Sequence, residues 1–354
     1  MSNQPTIKDV ARLAGVSIGT VDRVLHNRGR VSAANQAAVE RAVQSLHYRP
    51  SQVARALSIR RQNLKLGISY PFVEQDFWTD AYQGIQRAAL QLQKFGVEVI
   101  CDKYSSYEAE NLEQSIKHLL FQNVQGLVLT PVRNSDQALD QLIPKDIPFC
   151  TVIDDCPKSR RLFHVGPDDY AMGRVMAKYN LLYRPENLQI AVIAPNINME
   201  GTVRRIAGFR DMLKQEQKEY TLLAVCEIEG QTEKLSYENI YDKTLELIET
   251  YPGLNAIYVT NGLTQWAAAA VIAAGKQTSI YVFGHEYTKM TRDFLEAGPI
   301  TAILYQKPAD QWELAMQLLY EFLMEERPAP PLYINTECSI ITKETLPLVQ
   351  IGQI

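Results

Sequence analysis

Polar and aromatic side chains follow most of the apolar, strand-like runs in the longer, C-terminal part of this 354-residue chain, and their types suit the binding of a polyol. Carboxylates, amides and a guanidinium group hydrogen-bond hydroxyls, while aromatic rings pack against the C–H faces of a sugar. Because parallel strands bring their carboxyl ends to one edge of a sheet, residues that follow different strands converge on one ligand. The candidate ligand-binding residues are Gln75, Phe77, Trp78, Thr130, Asp154, Asp155, Arg205, Asn261, Glu286 and Gln306.

The elements that must position these side chains are short apolar runs that alternate with amphipathic stretches of helical period, which is typical of α/β proteins with parallel sheets. The strands outnumber those of one such domain, and the composition changes at His164-Val165-Gly166-Pro167. We therefore predict two lobes, one of about residues 63–164 and 306–327 and one of about 165–305 and 328–354. The predicted strands are Lys65–Tyr70, Val97–Cys101, Gly126–Thr130, Phe149–Ile153, Gln189–Ala194, Leu222–Glu227, Ala256–Thr260, Ile280–Phe283 and Thr301–Tyr305.

Each of these candidates also has a purely structural interpretation. Phe77-Trp78 could be core residues at the start of a helix, and Arg205 could be the partner of a surface ion pair. Asp154-Asp155 could form a solvated loop, and Asp168-Asp169 is better suited to an N-cap of the helix that follows than to a ligand contact. His285 has no companion residues for a metal site and is interpreted as a hydrogen-bonded loop histidine.

The N-terminal stretch from Thr6 to Tyr48 has the pattern of three short helices. Thr6 followed by Asp9 forms a capping-box-like start, and Gly15 can adopt the positive φ that a tight turn between helices requires. Ser17 is placed to cap a second helix, and Ser32 to cap a third. The apolar residues that give the first helix its inner face are Ile7, Val10, Ala11 and Leu13.

The second of these helices, Ile18–Leu25, presents the face that a helix-turn-helix protein directs toward base edges in the major groove. Its outward residues are Ile18, Gly19, Asp22 and Arg23. The first 61 residues contain ten Lys or Arg against three Asp or Glu, whereas the remainder contains 26 basic and 37 acidic residues. A basic head on an acidic body is typical of a protein that binds the phosphate backbone.

At this level of detail the chain resembles the lactose-repressor/galactose-repressor family over nearly all of its length. The motifs that carry the resemblance are TIKDVARLAGVS from Thr6, TVDRVL from Thr20, RVS from Arg30 and YRPSQVARAL from Tyr48. The resemblance implies a small all-α helix-turn-helix DNA-binding head over residues 1–49 and a hinge helix with linker over 50–62. Residues 63–354 would form an α/β effector-binding and dimerisation domain with the two-lobed fold of type I periplasmic sugar-binding proteins.

The resemblance also implies roles for residues of the head. Ile18 and Gly19 match the principal specificity positions, and because Gly19 has no side chain, Arg23 is expected to supply the hydrogen-bonded readout of guanine. Two residues depart from the family pattern, since Asp22 stands where Ser is common and His26 where Asn is usual. The expected DNA contacts are Thr6, Ser17, Ile18, Gly19, Thr20, Asp22, Arg23, His26, Arg30, Ser32 and Tyr48.

The hinge segment after Pro50 is long enough for about two helical turns, which are marginal alone in water. In the family this helix folds when two subunits pair over the operator. Val53 and Ala54 match its pairing face, and Leu57 matches a wedge that opens the minor groove. The alternative is that Leu57 makes an ordinary apolar contact with the body.

For the ligand site, the resemblance carries over the same residues that the strand pattern selects. Asp155 stands where many sugar-binding members have Arg, and Glu286 replaces Asp, so the expected pocket is unusually acidic. That disfavours a phosphorylated effector and leaves neutral sugars, polyols and amino sugars. The expected mechanism is a population shift, in which the effector has different affinities for two arrangements of the lobes and thereby changes the pairing of the hinges.

Other features bound the remaining possibilities. The N-terminus has no apolar signal region, the longest apolar run, Trp266–Ala274, is too short to span a bilayer, and five scattered cysteines suggest free thiols in a reducing compartment. We expect a cytoplasmic protein without metal or cofactor. The tetrameric member of the family has a leucine heptad at its end, and because this sequence has none there, the resemblance implies a homodimer. The alternatives are a purine-like effector, a glycoside-acting enzyme that uses Asp154, Asp155 and Glu286, and an architectural DNA-bending protein.

Overall fold

The computed structural model describes residues 5–25, 31–46, 48, 64–72, 76–183, 186–216, 219–228, 237–324 and 328–348. The first of these ranges form a three-helix head. Its helices are α1 (Ile7–Ala14), α2 (Ile18–Leu25) and α3 (Ala33–Ser45). They enclose a small core of Val10, Ala11, Val21, Val39 and Ala42.

The predicted caps of the head form as expected. Asp9 accepts hydrogen bonds from the backbone N–H and the hydroxyl of Thr6, and the hydroxyl of Ser17 accepts from the N–H of Thr20 at 3.1 Å. Gly15 ends α1 in the left-handed conformation with φ of 66°. The prediction that Leu13 belongs to the inner face is wrong, because Leu13 is 55% exposed. It lies six residues after Ile7, which at 3.6 residues per turn is off the stripe that Ile7, Val10, Ala11 and Ala14 share.

The body contains two parallel sheets, each flanked by helices. The elements of the first lobe are β1 (Lys65–Pro71), α4 (Asp76–Gln93), β2 (Glu98–Tyr104), α5 (Ala109–Phe121), β3 (Gly126–Leu129), α6 (Asp136–Leu142), β4 (Phe149–Val152) and β5 (His164–Gly166). The elements of the second lobe are α7 (Asp169–Tyr183), β6 (Leu188–Pro195), α8 (Glu200–Gln215), β7 (Tyr220–Ile228), α9 (Tyr237–Thr250), β8 (Ala256–Val259), α10 (Thr264–Ala273), β9 (Tyr281–His285), α11 (Lys289–Ala297) and β10 (Ile300–Tyr305). The chain then adds α12 (Pro308–Leu323), β11 (Tyr333–Asn335), β12 (Ser339–Ile341) and a 3-10 helix over Lys343–Leu348.

The two sheets have the same strand order. The first runs β2-β1-β3-β4-β5-β11 and the second β7-β6-β8-β9-β10-β12, and within the described residues all pairs are parallel except β10 with β12. In each sheet the chain reverses its direction of winding at the second strand, β1 or β6. The carboxyl ends of strands next to such a switch point are where doubly wound folds bind ligands.

The chain crosses back to the first lobe after Tyr305, as predicted, because α12 packs on the core of the first sheet through Trp312 and Leu319. The lobe boundaries differ from the predicted ones. Residues 165–166 in β5 and 333–335 in β11 pair within the first sheet, although both were assigned to the second lobe. Strands of three residues carry too little periodicity to be recognised in sequence.

Close helix packing fixes the position of α8 in the second lobe. A Cβ at Gly173 of α7 would overlap the carbonyl oxygen of Arg205, and one at Gly208 of α8 would overlap that of Tyr170. The two helices therefore approach at backbone distance, which only glycine permits on both sides. As a result, Arg205 and the N-terminus of α8 are held rigidly at the carboxyl edge of the second sheet.

Candidate functional site

A cavity of about 570 Å³, part of which opens to solvent, lies between the two lobes at the carboxyl ends of their strands. The figure includes space open to solvent, and the part that a water-sized group can occupy is about 40 Å³. The structure brings together these predicted residues on its wall: Phe77, Trp78, Asp154, Arg205, Asn261, Glu286 and Gln306. The residues of the wall that the sequence analysis did not select are Tyr107, Ile153, Asp169, Asn196, Met199, Gly201, Thr202 and Gly262.

Two predicted ligand contacts do not reach this cavity. Thr130 is fully buried and donates its hydroxyl to the carbonyl of Val152 at 3.0 Å, so it bridges two strands instead. Asp155 turns away and accepts hydrogen bonds from the guanidinium of Arg161 and from the hydroxyl of Thr151. Gln75 lies outside the described residues.

The pairing of Asp155 with Arg161 explains why sequence reasoning misplaced it. Burial acts to raise the pKa of Asp155, but the hydrogen bonds from Arg161 and Thr151, together with the charges of His164 and Arg161, lower the pKa below its ordinary value. The Arg161 side chain has no exposed surface and also lies over the ring of Tyr333 at 4.7 Å. Asp155 is thus a buried structural carboxylate that ties the loop after β4 to β11.

Arg205 is buried and is held by two partners. Its Nε donates to Asp169 at 2.8 Å, and its Nη1 donates to the carbonyl of Thr260 at 2.8 Å. Burial acts against the charge of Arg205, but Asp169 raises its pKa above the ordinary value. The alternative of an exposed surface ion pair is therefore excluded. Of the two residues considered for the N-cap of α7, only Asp168 accepts a hydrogen bond from the N–H of Ala171. Asp169 lines the cavity instead.

Asp154 links the two lobes. Its two carboxyl oxygens accept hydrogen bonds from the backbone N–H groups of Glu200 and Gly201, each at 2.9 Å. These groups form the first turn of α8, where the partial positive charge of a helix favours an acid. Burial and the nearby charge of Asp169 nevertheless raise the pKa of Asp154 to about 8, although the backbone hydrogen bonds lower it.

Two further contacts hold the lobes together across the cleft. Arg133 donates from Nε to Glu200 at 3.0 Å and from its backbone N–H to the carbonyl of Asn198 at 2.8 Å. The hydroxyl of Tyr305 donates to Asp80 at 2.8 Å. The structure therefore represents an arrangement in which the lobes are in contact around the cavity.

Within the described part of the chain, Glu286 is an acid of the cavity wall with hydrogen bonds to only one of its two carboxyl oxygens. Its Oε1 accepts from the amide of Gln306 at 2.6 Å, whereas its Oε2 is buried and has no hydrogen-bond partner among the described residues. Burial raises its pKa to about 7, against the opposing effects of Arg205 and Gln306. An unpaired buried oxygen of this kind costs free energy unless a ligand supplies a donor.

The aromatic residues of the first lobe serve both core and cavity. Trp78 is 1% exposed, donates from Nε1 to the hydroxyl of Tyr107 at 2.7 Å, and meets Phe77 edge-on with ring centroids 4.9 Å apart. Trp78 is thus part of the hydrophobic core of the first lobe, in agreement with the interpretation of Trp78 as a core residue at the start of a helix. One surface of its ring also lines the cavity. Phe77 is only partly buried and is the more available ring.

Asn196 is the most informative residue that sequence reasoning missed. It follows β6 directly, it is 1% exposed, and neither of its side-chain polar atoms has a partner in the part of the chain that the structure describes. Asn196, Ile153 and Glu286 all have positive φ, at 60°, 69° and 67°. Each lies at the carboxyl end of a strand, and backbone strain of this kind clusters at ligand sites. The signal available in the sequence was its place after the AVIAP run.

The raised pKa of Asp154 predicts a specific pH dependence. Between about pH 4, where an unfolded Asp releases its proton, and about pH 8 in the folded state, the folded chain holds a proton that the unfolded chain has lost. The stabilisation by Asp154 must therefore fall as the pH rises through this interval. We expect the melting temperature of the wild type, relative to that of Asp154→Asn, to decrease from pH 5 to pH 8 in differential scanning calorimetry.

The exposed Asp293→Asn variant is the control for that measurement, because it removes a carboxyl on α11 outside the cavity. Its melting temperature should follow that of the wild type at a constant offset. A constant offset for Asp154→Asn as well would show that Asp154 releases its proton at the same pH in both states.

The face of α2 that was predicted to contact DNA is exposed to solvent. Ile18 is 45% exposed although it is apolar, Gly19 and Arg23 are exposed, and Arg23 Nε donates to the carbonyl of Gly19 at 3.0 Å. Ser32 accepts from the N–H of Asn35 and therefore also caps α3. His26, Arg30, Val53, Ala54 and Leu57 lie outside the described residues, as does the side chain of Asp22.

Comparison with protein families gives two matches. Residues 6–51 match the model described as bacterial regulatory proteins, lacI family, and residues 66–327 match a periplasmic binding protein domain. None of the helices in the described ranges combines enough length with enough apolar surface to pass through a lipid bilayer.

Individual relatives show the same combination. The chain is 28% identical over 278 residues to the HTH-type transcriptional regulator CelR of Thermobifida fusca, which covers 77% of this chain and 78% of the relative. It is 25% identical over 304 residues to the lactose operon repressor of Escherichia coli, which covers 84% and 79%. The fold is similar to a glucose-galactose binding protein, GanP of Geobacillus stearothermophilus, with a TM-score of 0.73 at 22% identity over 80% of this chain and 99% of that one.

Proposed function

Because this chain belongs to the lacI family of bacterial regulatory proteins, we propose that it is a transcriptional repressor of carbohydrate genes whose affinity for operator DNA is set by a sugar-like effector. The observation that carries the proposal is the cleft between the lobes, where carboxylates, an amide and aromatic rings share one wall. The relatives support it, since they include a ribose operon repressor of Halalkalibacterium halodurans and the lactose operon repressor.

The polar groups of the cleft favour a ligand with several hydroxyls. Glu286 Oε2 offers an acceptor, and the amide of Asn196 offers both a donor and an acceptor, all without partners among the described residues. A hydroxyl donates and accepts at once, so a polyol satisfies such a mixed set. Phe77 and Trp78 supply apolar surface on the first-lobe side. A ligand that lacked hydrogen-bonding groups would leave these atoms buried and unpaired, at about 1–3 kcal/mol for each group.

The effector would control DNA binding through the arrangement of the lobes. Asp154, Arg133 and Asp80 of the first lobe all contact the second lobe around the cavity. An effector that binds both walls has a higher affinity for the arrangement in which these contacts form, and so it shifts the population toward that arrangement. The hinge segment 50–62, which would transmit the shift to the head, lies outside the described residues.

The proposed assembly is a homodimer in the cytoplasm that binds a pseudo-palindromic operator. Two copies of α2, exposed at Ile18 and Gly19, would enter successive major grooves. The test is an electrophoretic mobility assay with promoter fragments at several salt concentrations, with and without sugars. Salt-sensitive binding to one fragment that a sugar alters supports the proposal, and attachment that no small molecule changes contradicts it.

Two other functions are distinguished by ligand binding and turnover. A purine effector would raise the melting temperature in a thermal-shift screen in which sugars and polyols do not. A glycoside-acting enzyme would release product from a panel of glycosides. Asp154 does not suit that chemistry, because both its carboxyl oxygens are occupied by backbone N–H groups of α8. A DNA-bending protein without an effector would respond to no member of the screen.

For the DNA site, we expect Arg23→Ala to lower specificity for one base pair of the operator by about 1–3 kcal/mol, because a bidentate contact with guanine would be lost. The measurement compares the affinity for the operator with that for single-base variants by fluorescence anisotropy. Arg41→Ala is the matched control, since Arg41 is an exposed cation of α3 outside the base-reading face. Equal losses on operator and random DNA in Arg23→Ala would count against a base contact.

A further inference from the structure

The cavity wall contains more acid than base. Its carboxyls are Asp154, Asp169 and Glu286, and Arg205 is the one guanidinium on the wall that the structure describes. Arg205 is already committed, because it donates to Asp169 and to the carbonyl of Thr260. The carboxyl group of Asp154 accepts hydrogen bonds from backbone N–H groups at the N-terminus of α8. Glu286 therefore has no ion-pair partner among the described residues, although the charge of Arg205 acts to lower its pKa.

The geometry around Glu286 is that of a site for a positive charge. Its Oε2 is buried, lines the cavity and has no partner among the described residues. A Cβ placed on Gly262 would lie 3.1 Å from Cγ of Glu286 and 3.9 Å from Cβ of Phe77, so both residues approach the same glycine, and all three line the cavity. A carboxylate and an aromatic ring together form a favourable environment for an ammonium group.

We propose that the effector is a polyol that carries a protonated amine, such as an amino sugar, with the ammonium group between Glu286 and Phe77. This inference rests on the proposed function, because it specifies the ligand of the same cleft. The ammonium donates to Oε2 of Glu286 and so supplies the direct ion-pair partner that this carboxylate lacks among the described residues. The remaining hydroxyls meet Asn196 and Asn261, which lie on the second-lobe side of the same wall.

The protonation of Glu286 bears on the same contact. Removal of Glu286 from water raises its pKa to about 7, because burial penalises the charged form. A sugar hydroxyl can pair with either form of the carboxyl, whereas an ammonium group stabilises only the charged form.

The experiment measures binding of matched ligands to the full chain by isothermal titration calorimetry. The ligands are glucose, galactose and mannose, each with its 2-amino and its N-acetylamino derivative. The three members of a set share the sugar ring, but only the 2-amino sugar carries a positive charge. We expect at least one amino sugar to bind about 10- to 100-fold more tightly than both neutral counterparts, the ratio for a hydrogen bond between charged groups. A neutral sugar that binds as tightly as its amino form overturns the inference and leaves the proposed function intact.

If no sugar binds, whether neutral or amino, both the inference and the proposal of a sugar effector are contradicted.

Glu286→Gln keeps the size of the side chain and should reduce the preference for the amino sugar to within about threefold. Circular dichroism would show that the variant is folded. Glu296→Gln on the exposed face of α11 is the matched control and should keep the full preference. An unchanged preference in Glu286→Gln would overturn the assigned position of the ammonium.

Discussion

Arg205→Met is expected to lower the free energy of unfolding of the body by about 3–5 kcal/mol, because it leaves the buried carboxylate of Asp169 without its partner. The carbonyl of Thr260 loses its donor in the same step. The variant should also fail to respond to any effector, since Arg205 forms part of the cavity wall. Urea denaturation followed by tryptophan fluorescence reports on the body alone, because the three tryptophans of the chain, Trp78, Trp266 and Trp312, all lie beyond residue 63.

The neighbouring Arg204 provides the matched control. Its side chain is 44% exposed and lies 3.6 Å from Asp168, so Arg204→Met should cost about 0–1 kcal/mol. Both variants should bind random DNA like the wild type, since the head has its own core. If Arg205→Met and Arg204→Met were equally stable, the pair between Arg205 and Asp169 would contribute nothing beyond a surface ion pair.

Trp78→Ala is expected to destabilise the first lobe by about 3–5 kcal/mol, the usual cost of removing a large buried aromatic side chain. The loss combines the cavity that the indole leaves with the unpaired hydroxyl of Tyr107, which accepts the indole N–H at 2.7 Å. It should also weaken effector binding, because the same ring closes one wall of the cleft. Unfolding is measured by circular dichroism, since the substitution removes one of the fluorophores.

Two variants separate packing from ligand contact at this wall. Trp78→Phe keeps an aromatic ring without the N–H and should cost less than the alanine variant. Phe77→Ala removes the partly buried ring and should reduce effector affinity more than stability. If Phe77→Ala lowered the free energy of unfolding as much as Trp78→Ala, both rings would be core residues, and neither would serve mainly to contact the effector.

The contacts between the lobes place a constraint on how an effector acts. Two backbone donors in the first turn of α8, the N–H groups of Glu200 and Gly201, are paired with Asp154 of the opposite lobe. Among the described residues of the cavity wall, the buried side-chain atoms without a hydrogen-bond partner belong to Asn196 and Glu286. An effector would therefore stabilise the closed arrangement by pairing these groups, and Asp154 would set how readily the lobes close without it.

Several features of this chain were determined by local sequence. The caps at Thr6 and Ser17, the turn at Gly15 and the exposed face of α2 depend on residues within a few positions of one another. The alternation of strands and helices was readable for the same reason, because apolar periodicity is a local property. The candidates that follow strands, Asp154, Asn261 and Glu286, line one cavity together with Arg205, which lies in the first turns of a helix.

Only the tertiary structure decided which of two adjacent acids faces the cleft. Asp154 and Asp155 are indistinguishable in sequence, but the positive φ of Ile153 turns one toward α8, and Arg161 holds the other against β11. The pairing of Asp169 with Arg205 likewise depends on the packing of α7 against α8. Such choices depend on partners distant in the chain, whose positions local propensity does not specify.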